Sequence, residues 1–222
     1  MYAVGHFALG YLAGKGSSKV LKAKINMPLL LVASVLPDMD LILQRLNPEL
    51  FMHRGPTHSI ITMTLIMIPF FLIFRKQAIP YYVALLSHAL IGDFFTGGIE
   101  LFWPVSHGWF GALNIDVNSL ANGLTELALF AVTIIIMFKA KDLQKLLKPK
   151  NHNLVLIIAF GAVLGPLLSA GRGFESSLPV LLVVPSLFWV ALFGYSMLIE
   201  LRAKPEKPPL TSNENATASP RA

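Results

Sequence analysis

From Ile60 to Phe74 the chain carries no charged residue, and four further segments come close to that: Ile79–Phe95, Leu120–Phe138, Leu154–Ala170 and Leu178–Leu198. Apart from His88, only Asp93 and Glu126 interrupt them. Hydrocarbon offers a backbone no hydrogen-bond partners, so a segment of this kind must satisfy its own N–H and C=O groups, which a helix does. Lengths near 20 apolar residues match the hydrophobic thickness of a bilayer. The chain is therefore expected to be all-α, a multi-pass transmembrane helical bundle. Its composition agrees: 55% of residues are hydrophobic and 14% charged, against about 25% charged in soluble domains. No cleavable signal peptide is expected, because the first residues lack a basic region and His6 interrupts their apolar stretch. With no cysteine, thiolate metal sites, disulfides and cysteine nucleophiles are excluded.

Shorter apolar pieces lie near the N-terminus. Tyr2–Ala13 carries Gly5 and Gly10, with Gly14 just beyond. It is too short to span and reads as a half-length or re-entrant helix. Met27–Leu36 runs into Pro37, which turns the backbone, and Leu41–Leu46 resumes as a short helix. Pro205–Ala222 is polar and proline-rich, so residues 1–202 are expected to form the membrane domain and 203–222 a disordered cytoplasmic tail.

The net charge of +6 is concentrated in Lys15–Lys24, Arg75–Lys76, Lys139–Lys150 and Arg202–Lys207. These clusters lie between apolar runs and read as topology markers, not as a nucleic-acid surface. One arrangement puts them all in the cytoplasm. It places Pro37–Ser59, Thr96–Asn118 and Gly171–Ser177 outside, and the C-terminus inside. The same arrangement gathers His6, Asp38, Asp40, His53, His58, His88, Asp93 and His107 near the outer face, which the charge rule did not require. Trp103 and Trp109, in the outer loop, suit a membrane–water interface.

The densest chemistry is His53-Arg54-Gly55-Pro56-Thr57-His58-Ser59, at the mouth of the Ile60–Phe74 run. Imidazoles beside hydrocarbon need partners. Histidine and aspartate from separate segments form an oxygen–nitrogen ligand set for a divalent metal, zinc first and manganese second. His53, His58, His88, Asp38 and Asp93 are the expected ligands, with His6 and Asp40 next. A metal so held lowers the pKa of bound water to about 7 and favours hydrolysis. Arg54 has the fork geometry to bind a phosphate, and Glu126 is a candidate general base. The expected substrate is a phosphoester or phospholipid headgroup at the outer face of the bilayer.

Plainer roles compete. Asp38 fits an N-cap, Asp40 a helix-dipole partner, Thr57 and Ser59 caps of the next helix, and Arg54 a snorkelling side chain. His88 and Asp93, five apart, fall on different faces of a regular helix and meet only if it ends or bulges near Gly92. The rival functions are an ion- or proton-coupled transporter and a non-catalytic membrane protein with a structural metal. Oligomeric state is left open.

The stretches Gly5-His6, Leu36-Pro37-Asp38-Met39-Asp40, His53 to Ser59, and Ser87-His88 through Asp93 resemble the membrane-bound, predicted metal-dependent hydrolases of the LexA-regulated inner-membrane type. The resemblance covers roughly residues 1–140 and implies a hydrolase class without a substrate. In ligand order the residues are also distantly similar to zinc-dependent phospholipases C and S1/P1-type nucleases.

Overall fold

The apolar runs fold as helices. The computed structural model describes residues 1–149, 152–169 and 178–203. Its helices are α1 (Ala3–Leu21), α2 (Met27–Ala33), α3 (Asp40–Leu43), α4 (Ile60–Phe74), α5 (Ile79–Ser87), α6 (Leu120–Lys139), α7 (Asp142–Leu146), α8 (Leu156–Ser169) and α9 (Val180–Arg202). Short 3₁₀ turns join them at Leu36–Met39, Pro56–His58, Arg75–Gln77 and Asn153–Val155. No strand occurs among the described residues; one isolated bridge pairs Ile99 with Phe110. Three helical stretches, Ile60–Gln77, Leu120–Lys139 and Val180–Arg202, are long and apolar enough to cross a membrane. The connection expected on the outer side at Gly171–Ser177 and the tail expected at 203–222 lie outside the described residues, save Ala203.

The N-terminal segment is longer than its apolar run. We expected a half-length helix and a basic loop from Lys15, but α1 continues through Gly14-Lys15-Gly16 to Leu21. The polar residues there are accommodated within the helix: Ser17 and Ser18 donate to the carbonyls of Gly14 and Lys15. The helix stops at Lys22, in the left-handed region at φ 49°. Its 19 residues reach about 28 Å at 1.5 Å each.

Helix α1 is the centre of the packing, against α2, α5 and α6. Its glycines permit this. A Cβ at Gly10 would run into the Ser34 side chain, and one at Gly14 would sit 2.9 Å from the Pro80 carbonyl. Phe7 packs 5.2 Å from both Trp189 and Phe193 of α9. Those rings are buried with Tyr11, Leu30 and Leu31 in one core. Helix α4 is different: only Met63 and Met67 are buried, and Leu65, Ile66, Leu72 and Ile73 face outward. An apolar surface of that extent fits acyl chains.

Polar groups divide between the two ends of α1. Near its C-terminal end, Tyr11 donates to the buried Asp142 at 2.9 Å, and Lys15 and Lys145 pair with it at 2.7 and 2.6 Å. Near its N-terminal end lies His6, beside His88 and Asp93.

Candidate metal centre

Four short elements bring the donors together. Asp38 lies in the 3₁₀ turn after Pro37, Asp40 opens α3, and His58 closes the 3₁₀ turn before α4. His88 and Asp93 bound a π-helical turn that extends α5. In an α-helix a residue five positions on is rotated by about 140° from the first. The wider turn removes that offset: the Phe94 N–H bonds the Ala89 carbonyl at 2.9 Å, an i to i+5 bond. His88 and Asp93 thereby share a face, the bulge that their spacing required. Gly92 makes room for it, since a Cβ there would run into the His6 ring.

His58 Nε2, His88 Nε2, Asp93 Oδ2 and Asp38 Oδ1 converge. The two nitrogens are 3.1 Å apart. Asp93 Oδ2 lies 3.1 Å from His58 and 3.4 Å from His88. Asp38 Oδ1 lies 3.7 and 3.3 Å from the same two nitrogens. Four donors around a zinc ion at bonds of about 2.0–2.1 Å stand roughly 3.3–3.4 Å apart in a tetrahedron. The donor set therefore fits a tetrahedral divalent cation.

The neighbours fix which atoms face inward. His88 Nδ1 is 2.8 Å from the Ser34 carbonyl, so it carries the proton and donates, leaving Nε2 as a lone pair. His58 Nδ1 lies 3.2 Å from Asp40 Oδ2, with the same consequence. Two buried lone pairs thus face each other, beside an Asp93 Oδ2 that has no hydrogen-bond donor. Only a cation, metal or proton, relieves that contact. Burial pushes the His58 imidazole down, but the carboxylates of Asp38, Asp40 and Asp93 around it outweigh this and hold it well above the usual histidine range. Burial likewise pushes Asp38 up, yet the His88 charge and the nearness of the His58 and His88 rings keep it well below the usual carboxylate range. Asp40 is lowered against its own burial by His53 and His58.

Asp40 is the organiser of the His53–Ser59 stretch. It accepts from His53 Nδ1 at 2.9 Å, Thr57 Oγ1 at 2.9 Å and the Arg54 amide at 3.2 Å, besides His58. Arg54 is held at φ 65°, a costly conformation for a residue with a Cβ. Because Asp40 sets the tautomer and aim of His58, Asp40→Asn is expected to weaken zinc binding about 10–100-fold while the protein stays folded. Competition with a chromophoric chelator measures it.

Other expected site residues take different places. Arg54 donates to the Thr96 carbonyl at 2.8 Å and to Asp93 Oδ1 at 3.2 Å, so its fork holds Asp93 with Oδ2 turned to the donor group. His53, its side chain 35% exposed, is bonded to Asp40 and joins a second group, Asp40, His53 and His58, that overlaps the first. His6 lies outside both groups. Its ring stacks on His88 at 3.6 Å, with neither nitrogen hydrogen-bonded. Glu126 stands off the cluster, accepting from the amides of Tyr2 and Gly5 at 2.8 and 2.9 Å. Ser59 does cap α4, whereas Thr57 serves Asp40. The Ser34 carbonyl and Thr96 went unforeseen, since a backbone acceptor and a loop hydroxyl leave no signature in a sequence.

Neither curated proteins nor solved structures give a match to this chain. A family model does: the one described as YdjM inner membrane protein matches residues 1–165. That span holds every residue of the cluster and most of the apolar helices, and the chain belongs to the YdjM inner membrane protein family.

Proposed function

We propose that this membrane protein is a metal-dependent hydrolase whose centre opens on the outer face of the inner membrane, with the C-terminus in the cytoplasm. The observation that carries the reading is the meeting of His58 Nε2, His88 Nε2, Asp38 Oδ1 and Asp93 Oδ2, with both imidazole tautomers set from behind. Zinc fits first and manganese second. A metal held there supplies Lewis acidity and a bound water that ionises near neutral pH.

The protein's own groups do the rest. Asp38 is the most exposed of the four donors, its side chain 16% accessible, and marks the side from which a substrate arrives. His53, tied by Nδ1 to Asp40, has Nε2 to pass protons at that mouth. Arg54 positions Asp93. The substrate class is a phosphoester, a phospholipid headgroup in the bilayer that surrounds the helices.

One observation favours a second reading. His58, His88 and Asp93 are buried and, with Asp38, make four protein donors, the number that closes structural zinc sites, whereas catalytic sites hold three and an open position. Turnover separates the two. Zinc-loaded protein in detergent is expected to release headgroup from phospholipid in mixed micelles, and His53→Ala to slow release about 10²–10⁴-fold with the metal retained. Metal without turnover, together with unfolding on chelation, would assign the ion a structural role.

A further inference from the structure

The opposite end of the molecule carries a second feature. A cavity of about 440 Å³ lies where the α1–α2 connection, the α4–α5 connection and α7 meet, lined by Lys24, Asn26, Gln77, Tyr81 and Lys145 on its polar side. That volume falls within the range of small-ligand sites. Ile25, Met27 and Pro28 form its apolar wall.

The polar groups there are under-used. Lys145 bonds Asp142 at 2.6 Å, but Asp142 is also neutralised by Lys15 at 2.7 Å. One carboxylate thus answers two ammonium groups, and Lys145 keeps two further donors. Lys24 makes no ion pair among the described residues. The Tyr81 hydroxyl accepts from the Asn26 amide at 2.7 Å, so its own proton is left to donate. Gln77 Oε1 is buried with no hydrogen-bond partner. A half-turn of that amide offers its NH₂ instead, at no change of shape. Two cations, a phenol and an amide, facing an apolar wall, suit a phosphate whose ester arm is greasy.

We infer that this cavity binds a phosphate group, carried by the headgroup of an anionic phospholipid in the leaflet opposite the metal centre. Basic pockets between membrane helices hold such headgroups, each lysine adding to the attraction. The site is separate from the histidine cluster and independent of any hydrolysis there.

The full chain in detergent, mixed with phosphatidylglycerol or phosphatidylcholine, tests this by native mass spectrometry of retained lipid. Phosphatidylglycerol is expected to be retained about tenfold over phosphatidylcholine. Lys24→Gln with Lys145→Gln is expected to abolish that preference, and Lys19→Gln, on the exposed end of α1, to keep it. Should the double variant fail to fold, Lys24→Gln alone, at an exposed position, carries the test with a loss of roughly fivefold. Inorganic phosphate distinguishes the sources: displacement of the lipid at millimolar phosphate would make the ligand a soluble phosphate in the same site, and resistance assigns it to the lipid. Equal retention of both lipids, or equal losses in the Lys19 and Lys24 variants, would overturn the inference.

Discussion

His58→Ala is expected to leave the purified protein without bound metal. His58 belongs to both donor groups, facing Asp38, His88 and Asp93 through Nε2 and Asp40 through Nδ1. Zinc held by four protein donors is worth about 10–16 kcal/mol, so one donor accounts for roughly 2.5–4 kcal/mol, about a hundredfold to a thousandfold in affinity. Elemental analysis after gel filtration is expected to fall from near one zinc per chain to background. Affinity also reports on protons. The flanking carboxylates raise the His58 pKa above its ordinary value, so the metal-free imidazole is protonated at neutral pH. Loading zinc releases that proton, and wild-type affinity climbs as pH rises from 6 to 8 and beyond. In His58→Ala the residual slope is shallower by about one proton. Equal zinc content in wild type and variant would remove the metal centre from this protein.

The donors were legible for a physical reason. Titratable side chains cannot be left unpaired beside hydrocarbon, so each histidine or aspartate next to an apolar run announces a partner elsewhere. The charge rule then said which of them share an end. The π-helical turn was also readable, as a contradiction: His88 and Asp93 could both serve one centre only by breaking the α-helical period, and Gly92 marked the place. What stayed hidden was the division of labour. Nothing in the order of residues says that Asp40 braces His58 and His53, or that Arg54 grips Asp93. Those roles depend on side-chain rotamers and on a strained φ at Arg54. The reach of α1 was hidden too, because hydropathy ends at Ala13, whereas helix formation tolerates Lys15, Ser17 and Ser18. Only the packing of Gly10 and Gly14 against α2 and α5 shows that the helix is central.

Glu126 offers the other large effect, and its environment argues against the role its sequence invites. A lone carboxylate inside an apolar helix reads as a proton carrier. Here both oxygens are taken: Oε1 by the Tyr2 amide and the Asn122 side chain, each at 2.8 Å, and Oε2 by the Gly5 amide at 2.9 Å. Tyr2 is the N-cap of α1 and its side chain makes no cap bond to the helix, so the carboxylate of α6 serves as that cap from across the bundle, where a helix N-terminus favours negative charge. Glu126→Ala takes this acceptor from the Tyr2 amide, at a cost of about 1–3 kcal/mol, whereas the Gly5 amide keeps a bond to the Tyr2 carbonyl at 3.0 Å. A loss of about 1–3 kcal/mol and a melting temperature lower by roughly 2–12 °C are expected. Glu126→Gln keeps one acceptor and is expected to fall between. His6 follows four residues after Tyr2 on the helix this cap anchors, so zinc affinity in the folded variant is expected to shift by less than about tenfold. A general base would behave otherwise: Glu126→Gln would fold normally, hold its zinc and lose about 10²–10⁴ in turnover. A proton carrier would also fold normally and lose flux in proteoliposomes. Melting curves for Glu126→Ala and Glu126→Gln, measured alongside zinc content, separate the cap from both.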